Sequence, residues 1–150
     1  MTQPAKIFKA LGDETRLRLV SLLLQTDKEV CVCEMVDALE LPQYQISRHL
    51  TILKNAGLLQ PSRKGTWVYY RLDYEASPFL HDLLKMLGRH LKQRTFRDDA
   101  AKLAQRLALR QNGQCVVGFV SATEITKRFP QKKVARTYES KKARHFYLHP

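Results

Sequence analysis

The sequence predicts a mainly α-helical chain that carries one small β-hairpin. Three observations lead to this prediction. Apolar residues recur at helical spacing through most of the first 110 residues, two short amphipathic helices meet at a break near Pro42, and a stretch rich in aromatic and β-branched residues follows them directly. Two adjoining helices followed by a hairpin are typical of a winged helix-turn-helix, and the helical spacing beyond the hairpin adds a long C-terminal helix.

Length and charge divide the chain into two parts. The 150 residues suffice for one modest domain with its own core, which we place at residues 1–110, followed by a basic tail at residues 111–150 that we expect to be mobile. The tail contains eight Lys or Arg against two Glu, and so carries +6 of the net charge of +12. Such a balance favours nucleic acid or another anionic surface as the partner.

The composition also predicts the cellular location of the protein and argues against some functional classes. No apolar run approaches the roughly 20 residues that cross a bilayer, and no signal-peptide layout opens the chain, so we expect a cytoplasmic protein with no membrane partner. An odd number of cysteines, three, argues against a disulfide framework. Because no nucleophile, base and orienting group recur in a motif, an enzyme is the least favoured class and no catalytic cofactor is expected.

The first helices have recognisable starts and stops. Apolar spacing predicts helices at residues 5–11 and 13–25, with Asp13 placed to cap the second. A third helix is predicted at residues 31–40, where Cys31 is its first residue. Pro42 then breaks the pattern, because proline is excluded from a helix interior but suits the first turn of the next helix.

The helix after Pro42 has the composition of an element that reads DNA. Ile46, Leu50 and Leu53 form its buried stripe and leave a polar opposite face. Gln and Arg bond bidentately to adenine and guanine edges in the major groove, and the first half of a recognition helix reaches the bases. His49, next to the stripe, is more often a packed or phosphate-facing histidine than a base reader. The residues expected at the DNA are Gln43, Gln45, Ser47, Arg48 and His49.

A hairpin follows this helix. Residues 58–63 and 66–72 have strand composition and are joined by a turn at Lys64 and Gly65. A hairpin beside a recognition helix forms a wing, whose tip touches the DNA backbone or the minor groove. We expect Arg63, Lys64 and Thr66 to make these contacts.

The last helical region is predicted to join two copies of the chain. Ser77 and Pro78 indicate a helix start, and helical composition continues to about Arg110. Gly88 or the Asp98–Asp99 pair can split this region, and the pair can also begin a separate helix. So long an apolar face cannot be covered by a small domain, and a two-fold copy of the chain is the commonest partner. The expected dimerisation residues are Leu80, Leu83, Leu84, Leu87 and Leu91.

Four stretches of the sequence together resemble a known family. They read LGDETRLRLVSLLL, VCVCEMVDAL, QISRHLTILKNAGLL and RKGTWVYYRL, and they fall within about residues 7–91. In this order and spacing they resemble the ArsR/SmtB family of metal- and metalloid-responsive repressors, and the Cys31-Val-Cys33 segment is similar to the arsenic-sensing branch. The resemblance implies a homodimeric winged helix that leaves its operator DNA when arsenite or antimonite, As(III) or Sb(III), binds cysteine thiolates.

The chain departs from that pattern at two positions. Val36 stands where the arsenic branch has a third cysteine, and Pro42 stands where the family often has a serine cap. Cys115 is therefore a candidate third ligand beside Cys31 and Cys33, or else an incidental thiol.

Two alternatives remain open at this point. Thiolates are suitable ligands for the soft ions As(III) and Sb(III). The alternative signal for the same fold is Cd(II), Pb(II) or Zn(II), or oxidation of the thiols. The charge of the tail also allows a basic architectural nucleic-acid-binding protein.

The position of the two neighbouring cysteines suggests a release mechanism. Residues i and i+2 of a regular helix point away from each other, so the first turn must unwind before Cys31 and Cys33 can hold one ion. Because this helix positions the recognition helix, its distortion would favour a conformation that binds DNA poorly.

Overall fold

The structure is a computed structural model of the chain and describes residues 1–116 and 118. Six helices and three strands occur in this part of the chain: α1 (Gln3–Leu11), α2 (Glu14–Leu24), β1 (Val30–Cys31), α3 (Val32–Leu39), α4 (Gln43–Asn55), β2 (Leu59–Lys64), β3 (Trp67–Leu72), α5 (Pro78–His90) and α6 (Arg94–Leu107). The predicted mainly α fold with a β-hairpin wing is confirmed. Most of the predicted tail, residues 117 and 119–150, lies outside the described residues, so the division at residue 110 stays a prediction.

One apolar core holds the helices together, and it fixes the orientation of α4. Ile46, Leu50 and Leu53 of α4 are fully buried in this core, as their spacing predicts. Burying each of these side chains contributes roughly 1.5–3 kcal/mol. The polar face of α4 is consequently turned away from the core. The same core includes fully buried residues from α1, α2, α3 and α5, namely Ile7, Leu19, Leu22, Met35, Leu80 and Leu84.

The helix starts follow the predicted caps, with one difference at Pro42. The Asp13 carboxylate accepts a hydrogen bond from the Arg16 N–H at 3.0 Å, and Ser77 Oγ accepts one from the Leu80 N–H at 3.1 Å. Pro42 is the N-cap residue of α4, one position before the helix, and makes no side-chain cap. Its locked φ of −60° suits this position, and its carbonyl accepts the Ile46 N–H at 3.1 Å.

The wing belongs to a three-stranded antiparallel sheet with the order β1-β3-β2. β2 and β3 form the predicted hairpin, in which Gly65 has a φ of +62° that glycine adopts without strain. β1 was not predicted. Its two residues, Val30 and Cys31, pair with Tyr70 and Tyr69 of β3. The wing is therefore joined directly to the start of α3.

The predicted long C-terminal helix to about residue 110 is not present as one element, and the chain divides between the two positions, Gly88 and the Asp98–Asp99 pair, that the sequence offers for a split. α5 ends at His90, because Leu91 takes a ψ of +80°, outside the helical region. α6 turns back and packs against α2 and α3, where Phe96, Ala100 and Leu103 are buried. The protomer therefore covers with its own core an apolar face that a continuous helix would have left for a partner.

Two ion pairs fix α6 in this position. Arg18 of α2 binds Asp99 at 2.8 Å, and Arg106 binds Asp37 of α3 at 2.7 Å. The second pair lies almost entirely out of solvent. None of the helices described is long and apolar enough to span a membrane.

Candidate functional site

All three cysteines of the chain come together in the interior. Cys33 Sγ lies 2.9 Å from Cys31 Sγ and 3.4 Å from Cys115 Sγ, and the three sulfur atoms lie within 4.8 Å of one another. Their exposed fractions are only 1%, 3% and 3% for Cys31, Cys33 and Cys115. We call these three residues the cysteine cluster. Three converging sulfurs form a donor set suited to a soft ion of low coordination number.

The first two cysteines face each other because Cys31 is not a helical residue. Cys31 is the last residue of β1 and the N-cap of α3, with an extended backbone at φ −86° and ψ 164°. Its pairing with Tyr69 holds it in this conformation, while Cys33 lies in the first turn of α3. The expectation that this turn must unwind before both sulfurs reach one ion is therefore wrong.

Cys115 reaches the cluster through a turn that follows α6. Gln111 and Gln114 bond to each other across this turn, in which Gly113 has a φ of +74°. The Cys115 N–H then donates to Tyr69 Oη at 2.9 Å. The segment after α6 is thus attached to the central strand of the wing sheet.

Two arginine–carboxylate pairs flank the cluster. Arg106 Nη2 lies 3.8 Å from both Cys33 Sγ and Cys115 Sγ. Arg110 forms a two-point pair with Glu34, at 2.7 Å and 2.9 Å, and Glu34 is completely buried. These arginines and carboxylates balance in charge. Local sequence gave no signal for Arg106 or Arg110, because their partners lie on α3, far away along the chain.

The environment favours the protonated form of two thiols of the cluster by raising the pKa of each. The hydrogen bond with Cys33, burial and the charge of Glu34 raise the pKa of Cys31 far above its ordinary value. Burial likewise raises the pKa of Cys115. A divalent cation must displace such protons to bind, so its affinity rises with pH.

The structure leaves most of the predicted DNA-contacting residues accessible. Gln43 and Arg48 of α4 are exposed, and Gln45 and Ser47 are half-buried. At the tip of the wing Arg63, Lys64 and Thr66 are exposed, and Lys64 also pairs with Glu29 at 3.0 Å.

His49 is placed differently from the other residues predicted at the DNA. It is buried, and its Nδ1 lies 3.4 Å from Arg16 Nη1 and 4.0 Å from Asp13 Oδ1. Burial lowers the pKa of His49, although Asp13 opposes this effect. His49 is therefore a packed imidazole behind the exposed face of α4, where burial favours its neutral form.

The residues predicted at the dimer interface separate into two groups. Leu80 and Leu84 are fully buried in the core of the protomer, whereas Leu83, Leu87 and Leu91 are only partly buried against it. Large apolar side chains are also exposed nearby. Phe8 of α1 and Phe79 and Met86 of α5 are exposed. Phe79 makes an edge-to-face contact with Phe8, with 5.9 Å between the ring centroids.

Comparison with known proteins gives consistent matches. Residues 13–60 match the family described as "Bacterial regulatory protein, arsR family". The chain is 45% identical over 102 residues to the "Arsenic resistance transcriptional regulator ArsR1" of Pseudomonas putida, which covers 68% of this chain and 78% of that protein. It is 51% identical over 69 residues to the "Arsenical resistance operon repressor" of Escherichia coli, which covers 46% of this chain and 58% of that protein.

A solved structure matches as well. HlyU from Vibrio cholerae superposes with a TM-score of 0.53 at 31% identity, over 61% of this chain and 94% of that one. The two sequence relatives named above are regulators of transcription and not enzymes.

Proposed function

Because the chain belongs to the ArsR family of bacterial regulatory proteins, we propose that it is a transcriptional repressor that binds operator DNA as a homodimer. In this proposal the repressor leaves the operator when As(III) or Sb(III) binds the cysteine cluster. One observation carries this proposal: Cys31, Cys33 and Cys115 place three buried sulfurs within 4.8 Å of one another. The names of the relatives support a trivalent metalloid as the signal.

Protonated, buried thiols suit arsenite chemically. Arsenite in neutral water is uncharged As(OH)₃, and three thiols can replace its hydroxyls with release of three waters. Each new As–S bond takes the place of an As–O bond, each thiol proton leaves with a hydroxyl, and no oxidation state changes. The product is uncharged, so it adds no uncompensated charge to the interior. A divalent cation on the same thiols would release three protons and leave one negative charge.

The cluster links the sensing residues to both DNA-contacting elements. Cys31 lies on β1, which pairs with the wing, and Cys33 lies on α3, which packs against α4. Bonding these sulfurs to a single atom would constrain the junction between β1 and α3. A ligand that binds this constrained conformation of the protein more tightly than it binds the DNA-bound conformation lowers the fraction of protein that is bound to DNA.

We propose that α4 and the wing make the DNA contacts. In this proposal the exposed face of α4 reads bases through Gln43, Gln45, Ser47 and Arg48. The buried His49 instead contacts Arg16 of α2. Arg63, Lys64 and Thr66 contact the backbone or the minor groove. A two-fold dimer would read half-sites about one helical turn, roughly 10 bp, apart.

We place the dimer contact on the exposed side of α5 and α1. Phe8, Phe79 and Met86 offer apolar surface there, and the partly buried Leu83, Leu87 and Leu91 adjoin it on α5. Apolar surface of this kind is typical of a contact with another chain.

Replacing Arg48 by Ala is expected to weaken binding to the operator by about 1–3 kcal/mol, because Arg48 is exposed on the reading face of α4. Fluorescence anisotropy with labelled operator and with random DNA measures this loss. Arg97→Ala removes an exposed arginine from α6, which is placed neither at the DNA nor at the dimer contact, and serves as the matched control. Equal losses of Arg48→Ala on both DNAs would contradict base reading.

The inducer is tested by anisotropy of the protein–operator complex during titration with arsenite and, in parallel, with cadmium. The wild type is expected to release DNA with arsenite, and the double variant Cys31→Ser, Cys33→Ser is expected to retain it. If arsenite leaves the wild-type complex intact while cadmium or an oxidant dissociates it, the proposed inducer is wrong.

Truncation tests the other alternative. If residues 1–110 do not bind the operator and the full chain does, the tail is the DNA-binding element instead.

A further inference from the structure

Arg106 occupies the interior beside the cysteine cluster, although a guanidinium cannot act as a metalloid ligand. Its side chain is 1% exposed, and its Nε donates to Asp37 Oδ2 at 2.7 Å. Its Nη2 lies 3.8 Å from the sulfurs of Cys33 and Cys115 and donates to the Gly118 carbonyl at 2.6 Å. One planar group therefore contacts α3, two of the three sulfurs and the chain just after Cys115.

We propose that Arg106 is the positioning residue that brings Cys115 into the metalloid site, an inference that rests on the function proposed above. Cys31 and Cys33 are neighbours in sequence and meet through the local geometry of β1 and α3. Cys115 lies 82 residues beyond Cys33 and reaches it only because the segment after α6 folds back.

The guanidinium suits this task because its donors form a rigid fork. Nε is directed to Asp37 on α3 while Nη2 is directed to the segment that carries Cys115. The separation of the two donors is fixed by the planar group, so α3 and this segment are held at one distance. A lysine has a single nitrogen on a flexible stem and cannot span the same partners.

Energetics also favour a positional role. A buried ion pair is often no more stabilising than well-packed apolar residues of similar volume. Stability alone is therefore a weak reason for a buried Arg106–Asp37 pair, whereas the contacts of Arg106 with two sulfurs account for its position beside the cluster.

The test compares Arg106→Lys with Cys115→Ser in the full chain. Arg106→Lys retains a positive charge for Asp37 but loses the fork. We expect arsenite affinity to fall about 10- to 100-fold, the range for groups that orient a ligand, to the level of Cys115→Ser. X-ray absorption at the arsenic edge is expected to count two sulfur neighbours instead of three, with Cys115 still present. Combining both substitutions is expected to weaken binding no further than Cys115→Ser alone.

Arg18→Lys is the matched control, because Arg18 forms a similar fork with Asp99 between α2 and α6. It is expected to keep wild-type affinity and three sulfurs. If circular dichroism shows that Arg106→Lys does not fold, the pair replacement Arg106→Met, Asp37→Leu removes both charges together, and two sulfurs are expected there too.

Three sulfurs and wild-type affinity in the folded Arg106 variant would overturn the role of Arg106 alone, as would losses for Arg106→Lys and Cys115→Ser that simply add. Arsenite binding that survives in the Cys31→Ser, Cys33→Ser protein would overturn the metalloid site and the role of Arg106 together.

Discussion

Replacing Glu34 by Met lowers the free energy of unfolding by about 3–5 kcal/mol, because it leaves a buried guanidinium without its counter-charge. Glu34 is completely buried, and the Arg110 side chain that pairs with it at 2.7 Å is only 7% exposed. For a chain of this size the thermal midpoint should fall by roughly 6–20 °C. Thermal and urea unfolding followed by circular dichroism measure both quantities.

Two variants show whether the effect comes from buried charge. Glu34→Met combined with Arg110→Met removes both charges and should recover most of the lost stability. Lys102→Met breaks the pair between Lys102 and Glu40, whose side chains are 41% and 51% exposed, respectively. This variant should change the free energy of unfolding by less than about 1 kcal/mol. A Glu34→Met protein as stable as Lys102→Met would refute this account of the Glu34–Arg110 pair.

Cys33→Ser should strongly weaken the response to arsenite and should leave operator binding without arsenite intact. Cys33 Sγ is within 3.4 Å of both other sulfurs, so its loss removes the central donor of the cluster. The arsenite concentration for half-release should rise by more than about 100-fold, beyond the range for groups that only orient a ligand. Anisotropy titration of the operator complex measures this concentration.

Cys115→Ser is the comparison for this variant, since it removes the donor supplied by the segment after α6. Serine is close to cysteine in size, so both proteins should fold alike. A response that is impaired as strongly in Cys115→Ser as in Cys33→Ser would contradict the central position assigned to Cys33.

The elements defined by local patterns could be predicted from the sequence. The stripe of Ile46, Leu50 and Leu53 specifies α4, and the caps at Asp13 and Ser77 specify two helix starts. These features depend on residues only a few positions apart, and the same is true of the hairpin at Gly65.

The features that the sequence did not reveal depend on contacts between distant segments. Helical composition runs on past Leu91, whereas α5 ends at His90 and α6, after the break, packs on α2 and α3. β1 is two residues long and exists because β3 pairs with it. The approach of Cys115 to Cys33 spans 82 residues, so no spacing rule contains it.

Cys115 lies outside the stretch of residues 13–60 that matches the family of regulators. In the proposed site, one donor therefore comes from a segment that takes no part in the helix-turn-helix. Substitutions or insertions in that segment can alter the donor set while the DNA-reading residues stay the same. Evolution could thus change which toxic element a repressor of this design detects without changing the genes that it controls.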